Sequence, residues 1–172
     1  MKRTALALAL AIVFIISFPV HAVELHHDDE APYRFYRVAG YEMPKEVSMF
    51  LQECLAQEGI EWWLPYAACQ AYQESNFDVW QVTIYPSGVD CGLFQFREQF
   101  WPDHEAMAGY YGDLMDWRVQ CRVYARIIAQ RLRSGRTISE VISDWYTGGY
   151  DGYCQEYVDE VMQWSDRLEA YR

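Results

Sequence analysis

The fold is decided by the stretch from residue 64 to residue 77, which reads LPYAACQAYQESNF. Pro65 is typical of the first turn of a helix. Three alanines follow it, and Glu74 is the single charged side chain of the stretch. A helix with so few charges packs against other elements on several sides. We therefore predict a central, buried helix that begins near Leu64 and runs through Glu74.

Further helical segments lie on both sides of this stretch. Upstream, apolar residues recur with a helical period between Pro44 and Gly59. Downstream, we predict a long helix over residues 116–132, with Asp116 as its N-cap. A capping box at residues 137–140 opens a shorter helix, and a last helix follows a glycine-rich loop.

One region has the pattern of a strand. Residues 79–85 are rich in β-branched and aromatic side chains, and the turn signal Pro86-Ser87-Gly88 follows them. Together with the helices, this pattern predicts a mainly α fold of the α+β class. We expect a helical domain with a small β or loop lobe inserted after the central helix.

Length, composition and charge narrow the functional classes. The chain has 172 residues, of which 52% are hydrophobic and 17% aromatic, enough for one packed domain. It carries 25 acidic against 14 basic residues, a net charge of -11. Without a basic excess, nucleic acid is not expected as a partner. We expect a monomer.

The N-terminus has the pattern of a secretory signal. Lys2 and Arg3 precede an apolar run over residues 5–16, and the small residues at 20–22 form a cleavage site. The alternative, an uncleaved anchor, needs about 20 apolar residues, more than this run contains. We therefore interpret residues 1–22 as a signal peptide and expect a secreted or periplasmic protein with no membrane span after cleavage.

Residues 23–43 carry charge and show no helical period, so we interpret them as an N-terminal arm, with a short extended piece over residues 33–38. The domain itself is assigned to residues 44–172. Because the arm contains no candidate for catalysis, deletion of residues 23–40 is expected to leave activity intact.

Five cysteines in an exported chain predict disulfides, with one thiol left over. Fifteen connectivities are then open, and spacing alone does not choose among them. A metal site is the rival use. The chain has no CxxC pair, and its one histidine cluster, within residues 26–30, lies in the polar arm. We therefore expect neither a metal nor another cofactor.

Glu74 is the strongest candidate for chemistry. At the C-terminal end of a helix the dipole opposes a carboxylate, and the neighbours Tyr72 and Phe77 add an apolar environment. Both effects favour the neutral acid, which can donate a proton to a glycosidic oxygen. The alternative is a solvated helix-end glutamate with no special role.

Three motifs carry a resemblance to a known family. They are Glu74-Ser75-Asn76-Phe77, Gly92-Leu93-Phe94-Gln95 and Trp145-Tyr146-Thr147-Gly148-Gly149. They resemble the lysozyme superfamily, in particular the soluble lytic transglycosylases and lysozyme-like muramidases. The resemblance implies a lysozyme-like fold and cleavage of the MurNAc-GlcNAc β-1,4 bond of peptidoglycan, with Glu74 as a single general acid and base and 1,6-anhydro ends as product. The substrate-binding residues that it implies are Ser75, Gly92, Phe94, Gln95 and Tyr146.

Departures from the family pattern leave alternatives open. Thr147 replaces a family asparagine, and Asp90 resembles the second carboxylate of animal-type lysozymes. With Asp90 as a partner of Glu74, the protein would be a hydrolytic muramidase; otherwise Asp90 caps the preceding turn. A non-catalytic glycan-binding protein of the same fold and a cysteine hydrolase using Cys91 with His104 are further alternatives. The candidates for stacking on sugar rings are Trp62, Trp63, Trp80 and Trp101.

The resemblance also implies a cysteine pairing. By the animal-type pattern, Cys69 in the catalytic helix pairs with Cys154 ahead of the last helix. Cys91 then pairs with Cys121, and Cys54 stays free.

Overall fold

The computed structural model describes residues 33–148 and 152–171. The predicted signal peptide, the arm up to residue 32 and residues 149–151 of the glycine-rich loop lie outside the described residues. Within those ranges the chain forms six α-helices, two 3-10 turns at Glu61–Trp63 and Glu98–Phe100, and six short strands. The helices are α1 Lys45–Gln57, α2 Leu64–Ser75, α3 Trp101–Ala108, α4 Trp117–Arg133, α5 Ile138–Thr147 and α6 Gln155–Ser165. The strands are β1 Phe35–Val38, β2 Tyr41–Glu42, β3 Val82–Tyr85, β4 Gly88–Cys91, β5 Phe96–Arg97 and β6 Glu169–Tyr171.

The predicted α+β class with mainly helical content is confirmed. Helix α2 is the central helix, as predicted, and three alanines on it are fully buried: Ala67, Ala68 and Ala71. Small side chains let neighbouring elements approach closely. Helices α1 and α6 pack against α2, and α4 packs against α1.

Two predicted helix starts are confirmed by their capping contacts. The side chain of Asp116 accepts a hydrogen bond of 2.9 Å from the backbone N–H of Arg118, which fixes the start of α4. Thr137 and Glu140 form the reciprocal capping box at the start of α5. These local signals place both helices independently of tertiary packing.

The strands form two antiparallel sheets of three strands each. The order β2-β1-β6 brings residues near the two ends of the described chain together, with Phe35 opposite Tyr171. The order β3-β4-β5 forms the β lobe, in which Asp90 lies opposite both Thr83 and Arg97. Sequence analysis predicted a strand region over residues 79–85 and a short extended piece over residues 33–38, where β3 and β1 lie. It missed α3, an eight-residue helix whose apolar residues follow no clear stripe.

The interpretation of residues 23–43 as an arm requires correction in its described part. Tyr36, Val38 and Met43 are buried in the same core as the helices, at 6%, 1% and 1% exposure. Strand β1 is also the central strand of its sheet. A short alternation of polar and apolar residues conceals this role, because a four-residue strand has too few positions for its period to stand out. Deletion of residues 23–40 therefore removes part of the core.

No helix among the described residues is long and apolar enough to cross a membrane.

The role of β1 in the core is tested by Val38→Ala. Removing two buried methyl groups should lower the free energy of unfolding by about 2 kcal/mol, because the transfer energy is lost and a cavity remains. The matched control is Val82→Ala, since Val82 also lies in a strand but is 48% exposed. Urea denaturation followed by circular dichroism measures both. Equal effects of the two substitutions would contradict the placement of β1 in the core.

Candidate active site

Glu74 lies in the last turn of α2, at a sharp change of chain direction. Asn76 ends the helix in the left-handed conformation, with φ 51°, and Phe77 follows with φ 67°. A left-handed phenylalanine is rare because its side chain crowds the backbone, so the surroundings must hold it in place. Phe77 is buried, and its ring packs 5.7 Å from that of Tyr72. This packing fixes the end of the helix and hence the direction in which Glu74 leaves it.

Ser75 ties the end of α2 to the β lobe. Its Oγ lies 3.1 Å from the carbonyl of Ala71 and 2.9 Å from the carbonyl of Leu93, so one hydroxyl proton serves both oxygens. Ser75 is buried, and its hydroxyl is used in these contacts within the protein. The structure therefore gives Ser75 a positioning role, whereas the resemblance implied a contact with substrate.

Gly92 begins the segment that Ser75 holds. Its φ is 75°, and a Cβ at this position would lie 2.0 Å from Nε2 of Gln120. Gln120 uses the space: Nε2 donates to the carbonyl of Cys91 at 3.1 Å, and Oε1 accepts from the backbone N–H of Phe94 at 3.2 Å. Only glycine fits at this position, because the side chain of Gln120 on α4 approaches so closely. The structure therefore gives Gly92 a packing role, whereas the resemblance implied a contact with substrate.

Phe94 belongs to a buried aromatic cluster beneath the site. Only 1% of it is exposed, and its ring stacks on that of Tyr124 with 4.0 Å between centroids. Trp145 meets Tyr124 edge-on at 4.8 Å and Phe96 at 5.1 Å. A residue so enclosed has no free face for a glycan, so the contact implied for Phe94 is replaced by a packing role.

A line of buried hydrogen bonds connects this cluster to α2. Nε1 of Trp63 donates to the hydroxyl of Tyr124 at 2.9 Å, and that hydroxyl donates to Oε1 of Gln70 at 2.6 Å. Gln70 lies four residues before Glu74 and therefore on the same side of the helix. The aromatic cluster and the helix that carries Glu74 are thus joined by directional contacts as well as by packing.

Several protein groups act on the carboxyl of Glu74 and shift its pKa in opposite directions. The hydroxyl of Tyr157, on α6, donates a 2.7 Å hydrogen bond to its Oε1. Burial raises the pKa of Glu74 to about 7, hydrogen bonds from Tyr157 and Trp145 lower it, and the charge of Asp90 raises it. The pKa of Tyr157 is itself raised well above its usual range, by burial and then by the charge of Glu74, so Tyr157 remains a donor.

Asp90 acts on Glu74 through its charge and is itself paired with a cation. Nε and Nη2 of Arg97 contact the two carboxylate oxygens of Asp90 at 2.7 and 3.0 Å. The pair spans neighbouring strands, since Asp90 lies opposite Arg97 in the register of β4 and β5. Nη1 of Arg97 also contacts Oγ of Ser87 at 3.3 Å, which places the guanidinium over the turn between β3 and β4. Such a bidentate contact fixes the position of Asp90 and offsets its charge.

The two remaining residues implied as substrate contacts differ in exposure. Tyr146 is 60% exposed, and its ring stacks on that of Tyr157 with 4.8 Å between centroids. Tyr157 in turn donates its hydroxyl proton to the Glu74 carboxyl. Gln95 is partly buried, and its Nε2 donates to the carbonyls of Gly92 and Gln81 at 2.9 and 3.2 Å. Tyr146 is thus available to a ligand, while the amide of Gln95 is used to hold its own loop in a left-handed turn of φ 48°.

Among the four tryptophans proposed for sugar stacking, two are accessible. Trp62 is 51% and Trp80 is 66% exposed, whereas Trp63 and Trp101 are buried in the core. The expectation for Trp63 and Trp101 is therefore wrong. The sequence pattern did not separate the two neighbours at 62 and 63, because a short 3-10 turn determines which of them points inward.

The cysteine hydrolase alternative receives no support from the geometry. Cys91 is buried, and its pKa is raised by burial and by the charges of Glu98 and Asp90, which opposes a reactive thiolate. His104 lies on α3 with its ring 5.3 Å from that of Phe96, and its Nδ1 is buried without a partner among the described residues.

The predicted disulfides are not formed in the structure, where all five cysteines are free thiols. The pairing of Cys91 with Cys121 also has a geometric obstacle. Cys91 lies next to Gln120 on the β-lobe side of α4, whereas Cys121 is close enough to Cys54 for that thiol to raise its pKa. Neighbouring residues of a helix point about 100° apart, so Cys121 points in a different direction from Gln120, the residue that contacts Cys91.

A cavity of about 370 Å³ lies elsewhere on the molecule. Two arginines and an aromatic side chain contribute to it, together with the turn after β1; its lining residues are Arg37, Val38, Ala39, Gly40, Trp164 and Arg167. Glu74 does not line this cavity.

In comparisons with known proteins, no family model, no curated protein and no solved structure matches this chain.

The raised pKa of Glu74 predicts a pH-dependent effect of Glu74→Gln on stability. The pKa is about 7 in the folded protein against an ordinary value of 4.5, so the folded state binds this proton more tightly. The stability that this proton contributes is fully present below about pH 4.5 and is lost as the pH rises through 7. From pH 5 to pH 8, the free energy of unfolding of the wild type should fall by about 1–3 kcal/mol relative to that of Glu74→Gln.

Urea denaturation at the two pH values measures this difference. Glu156→Gln, at an exposed position on α6, is the control and should follow the wild type. A Glu74→Gln variant whose stability parallels the wild type at both pH values would show that the carboxyl has an ordinary pKa.

The hydrogen bond from Tyr157 predicts a second titration effect. Because the bond favours the ionised form of Glu74, Tyr157→Phe should raise the pKa of Glu74 by about one unit above its value in the wild type. A ¹³C NMR titration of the glutamate carboxyl carbons measures the shift, with Glu74→Gln identifying the resonance. Tyr146→Phe is the control, since the exposed ring of Tyr146 stacks on Tyr157, and Tyr157 is the tyrosine that donates to Glu74. An unchanged or lowered pKa in Tyr157→Phe would contradict the assignment.

Proposed function

We propose that this protein is a lytic transglycosylase with a lysozyme-like fold that cleaves the MurNAc-GlcNAc β-1,4 bond of peptidoglycan. One observation carries the proposal: Glu74 is a partly buried carboxyl with a pKa of about 7, and Asp90, whose charge contributes to that pKa, is bound on both oxygens by Arg97. The motif resemblance and the predicted export of the chain agree with a substrate in the cell wall.

The first step uses the neutral form of Glu74. Near neutral pH both the neutral and the ionised form of Glu74 are populated, because the pKa of the group is close to the pH. The proton passes to the glycosidic oxygen, the bond between C1 of the MurNAc residue and that oxygen breaks, and the leaving sugar departs with a new hydroxyl. Glu74 is left as a carboxylate. The hydrogen bond from Tyr157 to Oε1 stabilises that ionised form.

The second step uses the ionised form. The carboxylate of Glu74 accepts the proton of the 6-hydroxyl of the same MurNAc residue, and O6 bonds to C1 to close a 1,6-anhydro ring. The proton that left Glu74 is thus replaced, and no water is consumed. A group with a pKa near the working pH serves well in both directions, since neither transfer is strongly uphill.

The state of Asp90 favours this route over hydrolysis. A base that activates water needs a free lone pair directed at the water, and a nucleophile needs a free oxygen directed at C1. Both carboxylate oxygens of Asp90 are bound by Arg97 at 2.7 and 3.0 Å. The contact offsets the charge of Asp90 and fixes its orientation, so Asp90 is less suited to either role than a free carboxylate.

Hydrolysis with Asp90 as the second carboxylate remains the second candidate function because of one observation. The charge of Asp90 raises the pKa of Glu74, so the two carboxyls interact electrostatically. A substrate that displaced Arg97 from Asp90 would free the carboxylate for this reaction. The chemical nature of the product distinguishes the two routes directly.

Substitution of Glu74 tests the proposed acid. Glu74→Gln keeps the size of the side chain but transfers no proton, so the rate of peptidoglycan cleavage should fall by about 10²–10⁴-fold or more while the fold is retained. Asp90→Asn should cost much less, and the products should carry 1,6-anhydro ends. Mass spectrometry of muropeptides released from purified peptidoglycan measures both, since an anhydro product is lighter than the reducing sugar by one water.

Glu156→Gln is the control for a charge change on the surface and should keep full activity. Reducing-end products together with an equally severe loss in Asp90→Asn would identify a hydrolytic muramidase. If the wild type binds peptidoglycan and releases no product under any of these conditions, the protein is a glycan-binding protein and the proposal fails.

A further inference from the structure

We propose that Cys54 and Cys121 form a disulfide that joins α1 to α4 when the chain folds under oxidising conditions. This pair was not the one that the motif resemblance implied, and it follows from the way in which the two helices are packed. It holds independently of the function proposed above.

Contacts on both sides of the pair set the register of the two helices. At one end, the ring of Phe50 on α1 meets that of Trp117 on α4 edge-on, with 5.5 Å between centroids. At the other end, Glu58, just after α1, forms an ion pair of 2.7 Å with Nε of Arg126. The two helices therefore run side by side in the same direction over these turns.

The cysteines lie between these two contacts. Cys54 is four residues after Phe50, and Cys121 is four residues after Trp117. A step of four residues returns to the same face of a helix, so each cysteine continues the face that its aromatic residue presents to the other helix. Both are buried, at 3% and 0% exposure. The register thus places the two thiols opposite each other inside the interface.

Electrostatics agrees with this placement. Cys54 is one of the groups that raise the pKa of Cys121, after the larger effect of burial. The groups that raise the pKa of Cys91 are instead Glu98 and Asp90 on the β-lobe side, again after burial. The neighbour of Cys121 in sequence, Gln120, occupies the direction toward Cys91 and donates to its carbonyl. Cys121 therefore has one thiol neighbour in this interface.

The chemistry requires an oxidant, which we specify as a small disulfide such as oxidised glutathione. One cysteine thiolate attacks a sulfur of that disulfide and releases one glutathione thiol, giving a mixed disulfide. The second cysteine thiolate attacks the protein-bound sulfur and releases the other glutathione thiol. Two cysteine thiols thus lose two electrons and two protons, and one glutathione disulfide becomes two thiols.

Burial determines when this reaction takes place. It raises the pKa of Cys54 to about 12 and that of Cys121 well above its usual range, so thiolates are scarce once the interface is closed. The exchange must therefore occur while α1 and α4 are still coming together. The resulting bond closes a loop that contains α2, the β lobe and α3, and with them Glu74.

Peptide mapping tests the bond. The full chain is refolded in a glutathione redox buffer, and remaining thiols are blocked with iodoacetamide in urea, so that buried thiols also react. The protein is then digested without reduction by trypsin and a glutamate-specific protease. Cleavage after Glu53 and Glu58 isolates Cys54 in residues 54–58, and cleavage after Arg118 and Arg122 isolates Cys121 in residues 119–122. We expect these two peptides to be joined, and the joined mass to disappear on reduction.

Variants separate this pair from the others. Cys54→Ala should leave Cys121 alkylated, whereas Cys91→Ala should leave the joined peptides in place. Reduction should lower Tm of the wild type by about 5–15 °C more than that of Cys54→Ala, since only the wild type loses this cross-link. Circular dichroism confirms that each variant is folded. Alkylated Cys54 in the folded, oxidised wild type, or residues 119–122 joined to the peptide that carries Cys91, would overturn the proposal.

Discussion

The hydroxyl of Ser75 holds the two parts of the candidate site together. It lies within hydrogen-bonding distance of the carbonyl of Ala71, on its own helix, and of the carbonyl of Leu93, in the segment after β4. Glu74 is the preceding residue, so the position of its carboxyl relative to the β lobe depends on this contact. The two left-handed residues that follow, Asn76 and Phe77, prevent the helix from continuing past the contact.

The rest of the interior keeps that arrangement rigid. Phe94 stacks on Tyr124, and Tyr124 is linked by hydrogen bonds to Trp63 and to Gln70 on α2. These directional contacts favour one arrangement of the core, because a shift would leave the N–H of Trp63 or the hydroxyl of Tyr124 without its partner. A carboxyl with a raised pKa needs such support, since water entering around it would return the pKa toward its ordinary value.

Sequence reasoning predicted the helices whose start signals lie within one turn of the helix. The N-cap Asp116, the capping box at Thr137 and the proline at the start of α2 each determine structure within one turn, and all three helices begin where these signals lie. The role of β1 was missed because its partner β6 is more than 130 residues away, and because β1 packs against α1 and α2, which also lie outside this segment. No pattern within residues 33–43 contains this information.

The same distinction applies to the site. Glu74 was identified from its helix-end position, and its raised pKa agrees with the expectation of a neutral acid. Arg97 and Tyr157 were not identified as partners, since the sheet register and the packing of α6 bring them to the site from 23 and 83 residues away. Residues in a family motif were taken as ligand contacts, although Ser75, Gly92 and Phe94 serve packing and hydrogen bonding inside the protein.

Arg97 connects the electrostatics of the site to its chemistry. Without a cation, the charge of Asp90 would act on Glu74 in full, raise its pKa further and leave Asp90 available as a base. With Arg97 bound to both oxygens, that field is weakened and the oxygens are occupied. The pKa of Glu74 then stays near 7, where the group can both give and accept a proton. The ion pair in the β lobe therefore makes Asp90 a weaker competitor of Glu74, and in our proposal it thereby favours closure of the 1,6-anhydro ring over attack by water.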